Sequence, residues 1–86
     1  MSKLAQIRLE SGAKYPYDHD GDSSEPVRPA KDWAEAATRG VLSDLSDRRG
    51  IKWELEKVDQ ETRIELVASL AEIIRLAHKN ASTQAP

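Results

Sequence analysis

The run IELVASLAEIIRLA, residues 64–77, constrains what this chain can fold into more than any other stretch. Ile64, Val67, Leu70, Ala71, Ile74 and Ala77 recur at helical spacing, and Leu66 and Ile73 widen the face they share. Glu65, Glu72 and Lys79 fall on the opposite side. The apolar arc spans about half the circumference, wider than the ~100° stripe that one neighbouring helix covers. Asp59 is placed to cap the start, with Glu61 in the first turn, where the helix dipole favours an acid. Asn80 is placed to end the helix, which leaves residues 81–86 as a loose, disordered tail. The surplus of apolar arc predicts a two-fold dimer face at Leu66, Leu70, Ile73 and Ala77, with Leu76 at its edge. The competing expectation is a monomer in which Leu4, Ile7 and Leu9 fold back over that same surface.

A second helix is expected from Asp32. Asp32 followed by Glu35 forms a capping-box-like start, and Pro29 suits an extended entry. Trp33, Ala37, Val41 and Leu45 then recur at every fourth position as one apolar stripe, with Arg39, Ser43 and Ser46 on the other side. Between the two helices, IKWELEKV reads either way. Ile51, Trp53 and Leu55 alternate as in a strand, whereas Ile51, Leu55 and Val58 fit a helix and leave Trp53 outside. A lone strand has no evident partner, so a short helix with a break at Asp59 is the favoured reading.

The first 31 residues are different in kind. AKYPYDHDGDSSEPVRPAKD holds three of the four prolines in the chain and too little apolar surface to offset the entropy of ordering it. It reads as a flexible N-terminal arm, in which Leu4, Ile7 and Leu9 form either a short helix or a strand. The fold class is therefore all-α: a small helical hairpin or three-helix arrangement over residues 32–80, with a flexible arm over 1–31 and a tail over 81–86.

Composition removes much chemistry. Cysteine is absent, which excludes disulfides and thiolate metal sites and leans toward the cytoplasm. No apolar run approaches the ~18 residues of a membrane span, and MSKLAQIRLESG lacks the apolar region of a signal peptide. The formal net charge of −2 argues against non-specific phosphate binding. Asp18-His19-Asp20-Gly21-Asp22 opens like a calcium loop, but the sixth position is Ser23 and the twelfth Pro29, where that loop needs glycine and glutamate. His19 and His78 have no second residue placed to complete a catalytic or metal set, and the glycines do not form a phosphate cradle. The expectation is a non-enzyme with no catalytic residue, no metal and no cofactor.

Arg48-Arg49-Gly50-Ile51 admits two compatible readings. In the structural one, a helix runs to Arg49, Gly50 takes the left-handed conformation just beyond it, and Ile51 packs back on the last turn. In the functional one, Arg48, Arg49 and Lys52, with Trp53 exposed beside them, bind a partner. Asp32, Gly50 and Asp59 are the structural caps in either case. Tyr15-Pro16-Tyr17 is a further, weak candidate for a short linear ligand.

The stretch from Asp32 to Ala77 resembles a group of small proteins from bacterial genomes, phages and prophages. The resemblance rests on Asp47-Arg48-Arg49-Gly50-Ile51, on Val58-Asp59 followed by Glu61 and Glu65, and on Ala71-Glu72-Ile73-Ile74-Arg75. That group carries no settled activity, so no catalytic residue transfers. What the resemblance implies is a context in which small phage-type proteins bind and redirect another protein, including components of host defence such as CRISPR systems. The expected partner is therefore another protein, with a homodimer as a second association and no membrane. A nucleic-acid-associated regulator using Arg48, Arg49 and Lys52 is the alternative, opposed by Asp44, Asp47, Glu54 and Glu56 beside those cations; a structural assembly subunit is a third reading.

Overall fold

A computed structural model describes residues 3–84. Four helices follow one another: α1 (Lys3–Lys14), α2 (Trp33–Leu45), α3 (Lys52–Glu56) and α4 (Gln60–Gln84). No strand occurs among the described residues, so the chain is all-α. The 51–58 ambiguity resolves as a short helix, with the break at Asp59.

α2 is the centre of the fold, packed by α1 on one flank and by α4 on another. Its start is fixed by Asp32, whose carboxylate accepts the Glu35 N–H at 3.0 Å. The same carboxylate accepts Arg75 Nε at 2.6 Å and Nη2 at 3.0 Å, which ties the first turn of α2 to the second half of α4. Asp59 caps α4 by accepting Thr62 N–H at 3.1 Å and the Thr62 hydroxyl at 2.7 Å. Between the two helices the core consists of Ala34, Leu42, Val67 and Ala71. The buried Thr38 hydroxyl donates to the Ala34 carbonyl, so it adds no unpaired polar group there.

The α1–α2 contact is closer still, because it is made by glycines. A Cβ built on Gly12 would overlap the backbone carbonyl of Arg39, and one built on Gly40 would lie 3.3 Å from Leu9 Cα. Backbones this near leave no room for side chains between them.

Five expectations are corrected. Trp33 and Val41 do not lie in the core: they are 56% and 53% exposed, and the buried line of α2 is Ala34, Thr38 and Leu42. The Trp33–Val41 line falls between the two flanks that α1 and α4 cover, so periodicity marked the edge of the contact and not its middle. Arg39, expected on the solvent side, is 3% exposed. α2 ends at Leu45 and not Arg49, loosening through Ser46 into tighter turns in which Asp47 N–H donates to Asp44 O and Arg48 N–H to Leu45 O. α4 continues past Asn80 to Gln84, so the tail expected from residue 81 begins in helix; residues 85 and 86 lie outside the described residues. Finally, Leu4, Ile7 and Leu9 take the helix alternative, but not the docking place expected for them. Residues 3–14 are helix, docked on α2 and not on the outer face of α4, because Gly12 and Gly40 permit that approach. Residues 15–31 are irregular but tied down: Asp18 and Arg28 pair with α2, and Tyr17 bonds to the end of α3.

The Asp32–Arg75 pair gives a pH dependence whose sign is set. Arg75 first, then the Glu35 N–H, pull the Asp32 carboxyl from an ordinary 3.8 to about 2. A carboxylate whose pKa is lower folded than unfolded stabilises fully above its unfolded value and stops doing so as pH falls through its folded value. The Asp32 contribution is therefore lost between about pH 4 and pH 2. Asp32→Asn keeps a competent cap but loses the charge. In thermal melts over that range, the variant is expected to lose less stability on acidification than the parent; parallel curves would contradict this.

Candidate interaction surface

The segment from Asp44 to Val58 carries the residues proposed from sequence to meet a partner, and its geometry follows from one glycine. Gly50 has φ +88°, in the left-handed region that a side chain disfavours. It is the third residue of a turn closed by the Ile51 N–H donating to the Arg48 carbonyl at 3.2 Å, and Lys52 N–H donates to the same oxygen at 3.0 Å. Gly50 thus reverses the chain into α3 and does not cap α2. No atom lies within 4 Å of a Cβ built there, so backbone strain alone sets the effect of a substitution. Gly50→Ala is expected to cost about 1 kcal/mol in denaturant unfolding. Arg48→Ala, at an exposed ion pair, is expected to cost little. Equal and negligible losses would contradict the turn's dependence on glycine.

The four partner-binding candidates do not share one fate. Arg48 is engaged by Asp44, through Nε at 3.0 Å and Nη2 at 3.1 Å. Arg8 of α1 also donates to Asp44, at 3.1 Å, and to Asp47, at 2.7 Å. These cations, Arg48 foremost, hold the Asp44 carboxyl below the usual range. Arg49, by contrast, forms no ion pair among the described residues and is exposed. Lys52 lies over the Trp53 ring, its Nζ 5.1 Å from the centroid, and Trp53 is 60% exposed. Ile51 beside them is exposed as well. The structure therefore keeps Arg49, Ile51, Lys52 and Trp53 on an open surface and withdraws Arg48 into an α1–α2 ion-pair network.

α3 has no buried residue, yet its end is anchored by its backbone. Tyr17 donates its hydroxyl to the Leu55 carbonyl at 2.7 Å. Arg63 donates Nε to the Val58 carbonyl and Nη2 to that of Glu56, both at 2.8 Å. The Arg63 guanidinium also covers the Tyr17 ring, 4.7 Å from its centroid. Burial pushes the Tyr17 phenol up, against the opposing pull of Arg63. These bonds engage backbone carbonyls and leave Lys52, Trp53, Glu54 and Glu56 exposed.

Two features escaped the sequence. One is a buried ionic knot: Arg39 pairs with Asp18 at 3.2 Å and Glu35 at 3.3 Å and donates to the Arg28 carbonyl at 2.9 Å. Arg28 completes it, 2.6 Å from Glu35. Only the Glu35–Arg39 spacing of one helical turn was visible beforehand. The knot draws Asp18 out of the calcium-loop-like run toward the helices, and no group of three or more metal-binding side chains occurs among the described residues. The other is an open apolar groove of about 470 Å³ between α1 and α2, lined by Leu4, Leu9 and Val41 with Arg8 and Arg48. No helix among the described residues is long and apolar enough to cross a membrane. No protein-family model, curated protein or solved structure matches the chain.

Proposed function

We propose that this is a non-enzymatic interaction protein that acts in the cytoplasm by occupying a surface on another protein, as a phage- or prophage-type regulator or inhibitor of a host system. The observation that carries the reading is the exposed cluster on the Gly50 turn and α3. Trp53 stands 60% exposed under Lys52, with Arg49 free of any ion pair among the described residues. Tryptophan and arginine are the side chains most enriched at the energetic centres of protein interfaces, and anchoring α3 by its backbone spares the ordering cost that a mobile loop would bring to binding.

Affinity capture from bacterial lysate with the parent protein and with Trp53→Ala tests it. A protein retained by the parent and lost by the variant is expected, since truncating a central tryptophan costs ~2 kcal/mol or more of binding. Equal retention by both would count against this cluster.

Arg49 and Lys52, neither of them in an ion pair among the described residues, also support a second reading, a nucleic-acid-associated regulator. Arg48 is neutralised by Asp44, and the acidic Glu54 neighbours the cluster, so the remaining positive patch is small. A gel shift on random DNA that weakens with salt would favour that alternative.

A further inference from the structure

The outer side of α4 divides into two sectors of different chemistry. Glu61, Glu65, Glu72, Arg75 and Lys79 all fall within one sector of its circumference. The adjoining sector holds Leu66, Leu70, Ile73 and Ala77, bordered by Thr62, Ser69, Leu76 and Asn80, and carries no charge. On its other border the one cation, Arg63, is already spent on Tyr17 and the carbonyls of Glu56 and Val58. In a chain that is 33% charged, an uncharged strip about three turns long, with Ile73 and Ala77 exposed and Leu66 and Leu70 half-buried, calls for a covering partner. α1 does not cover it: α1 packs on α2, and Ile73 and Leu76 remain 58% and 49% exposed.

The molecule as a whole has surface to spare. A monomeric globular protein of this mass exposes about 5,100 Å². This chain exposes 6499 Å², and its radius of gyration of 13.8 Å exceeds the roughly 12 Å of a compact domain of its length. The surplus, about 1,400 Å², is of the size that one partner contributes to a permanent homodimer, where ~1,000–2,500 Å² per subunit is usual.

We infer that the occupant is a second copy of this chain, its α4 lying antiparallel on the first across Leu66, Leu70, Ile73 and Ala77. The spacing of these residues, four, three and four, is self-complementary. A two-fold axis between Ala71 and Glu72 sets Leu66 against the second copy's Ala77 and Leu70 against its Ile73. Each seam position then pairs a large side chain with a smaller or differently branched one, as facing core positions require. Leu76 flanks the seam and is covered with it. The charged sector of each α4 stays in water, and the Trp53 surface lies on another element, so the dimer stands or falls independently of the proposed outside partner.

Two measurements on the full chain test this. Sedimentation equilibrium at tens of micromolar is expected to give twice the 9.6 kDa chain mass, falling to a single chain in Ile73→Asp with helical circular dichroism retained. Because the chain lacks cysteine, Leu66→Cys and Ala77→Cys supply the second readout. The proposed register brings position 66 level with position 77 of the other copy, while like positions lie about 16 Å apart along the axis. A short bismaleimide is therefore expected to cross-link a mixture of the two variants and neither variant alone. A parent protein that is monomeric at high micromolar concentration would overturn the proposal. So would cross-linking of either variant alone as efficient as that of the mixture.

Discussion

Replacing Arg39 with methionine is expected to cost about 3–5 kcal/mol, the largest loss of any single substitution considered for this chain. Methionine keeps most of the length of the side chain but none of its charge. Asp18 and Glu35, with side chains 9% and 6% exposed, would be left with only Arg28, itself half exposed. The carbonyl of Arg28 would also lose its guanidinium donor. Stranding buried carboxylates is costlier than the pair itself is favourable, because their hydration is gone and nothing replaces it. For a domain of this size each kcal/mol lowers the melting temperature by ~4–8 °C, so a fall of roughly 12–40 °C is expected in a calorimetric scan. Replacing Asp18 and Glu35 by apolar residues together with Arg39 is expected to recover part of the loss, since the unpaired charges then disappear. A loss below about 1 kcal/mol for Arg39→Met would show that the knot is not what holds residues 15–31 to the helices.

The second large effect is expected at Gly12, and its sign runs against local propensity. In an isolated helix, alanine is favoured over glycine by ~1 kcal/mol. Here the added Cβ would overlap the Arg39 carbonyl and sit 2.8 Å from the Gly40 nitrogen, both of them backbone atoms that cannot swing aside. α1 must move off α2, which pulls Arg8 from Asp44 and Asp47. A net loss of about 1–3 kcal/mol is expected from Gly12→Ala in denaturant unfolding. Gly40→Ala is expected to cost less, because its nearest contact, Leu9 Cα at 3.3 Å, needs a shift of only a few tenths of an ångström. A stabilising Gly12→Ala would mean that α1 does not pack on α2 as described.

What could be read beforehand was whatever local chemistry decides. Asp32 and Asp59 cap because a carboxylate beside four orphan N–H groups has few better uses, and Gly50 takes positive φ because no other residue does so cheaply. The helix of residues 64–77 was legible because six apolar residues share one face. Trp33 misled because its size suggested a core, while the helices approach closely enough that the centre of the contact belongs to Ala34 and Ala71. Arg39 was invisible for a different reason. Its burial depends on Asp18, 21 residues away in a stretch whose composition argued for looseness, and no periodicity reports such a partner. The N-terminal helix was one of two alternatives, but its docking on α2 was not legible: two glycines that weaken helices in isolation are what allow α1 and α2 to meet. At the candidate site, sequence named Arg48, Arg49, Lys52 and Trp53 together; the spacing of four between Asp44 and Arg48 is local, but Arg8 of α1, which ties Asp44 and Asp47 into the same network, comes from too far along the chain to be read.

The central functional claim is that the Gly50 turn and α3 meet the partner while the helical body serves as their support. Hydrogen–deuterium exchange, compared between the free protein and its complex with the captured partner, addresses it most directly. Residues 49–54 are exposed, and α3 is a five-residue helix with no buried side chain, so the amides of Arg49 to Leu55 are held only by short turns and exchange early in the free protein. On binding they are expected to slow by more than those of any other segment. Unchanged exchange across Arg49–Leu55, with protection confined to the groove between α1 and α2, would contradict it.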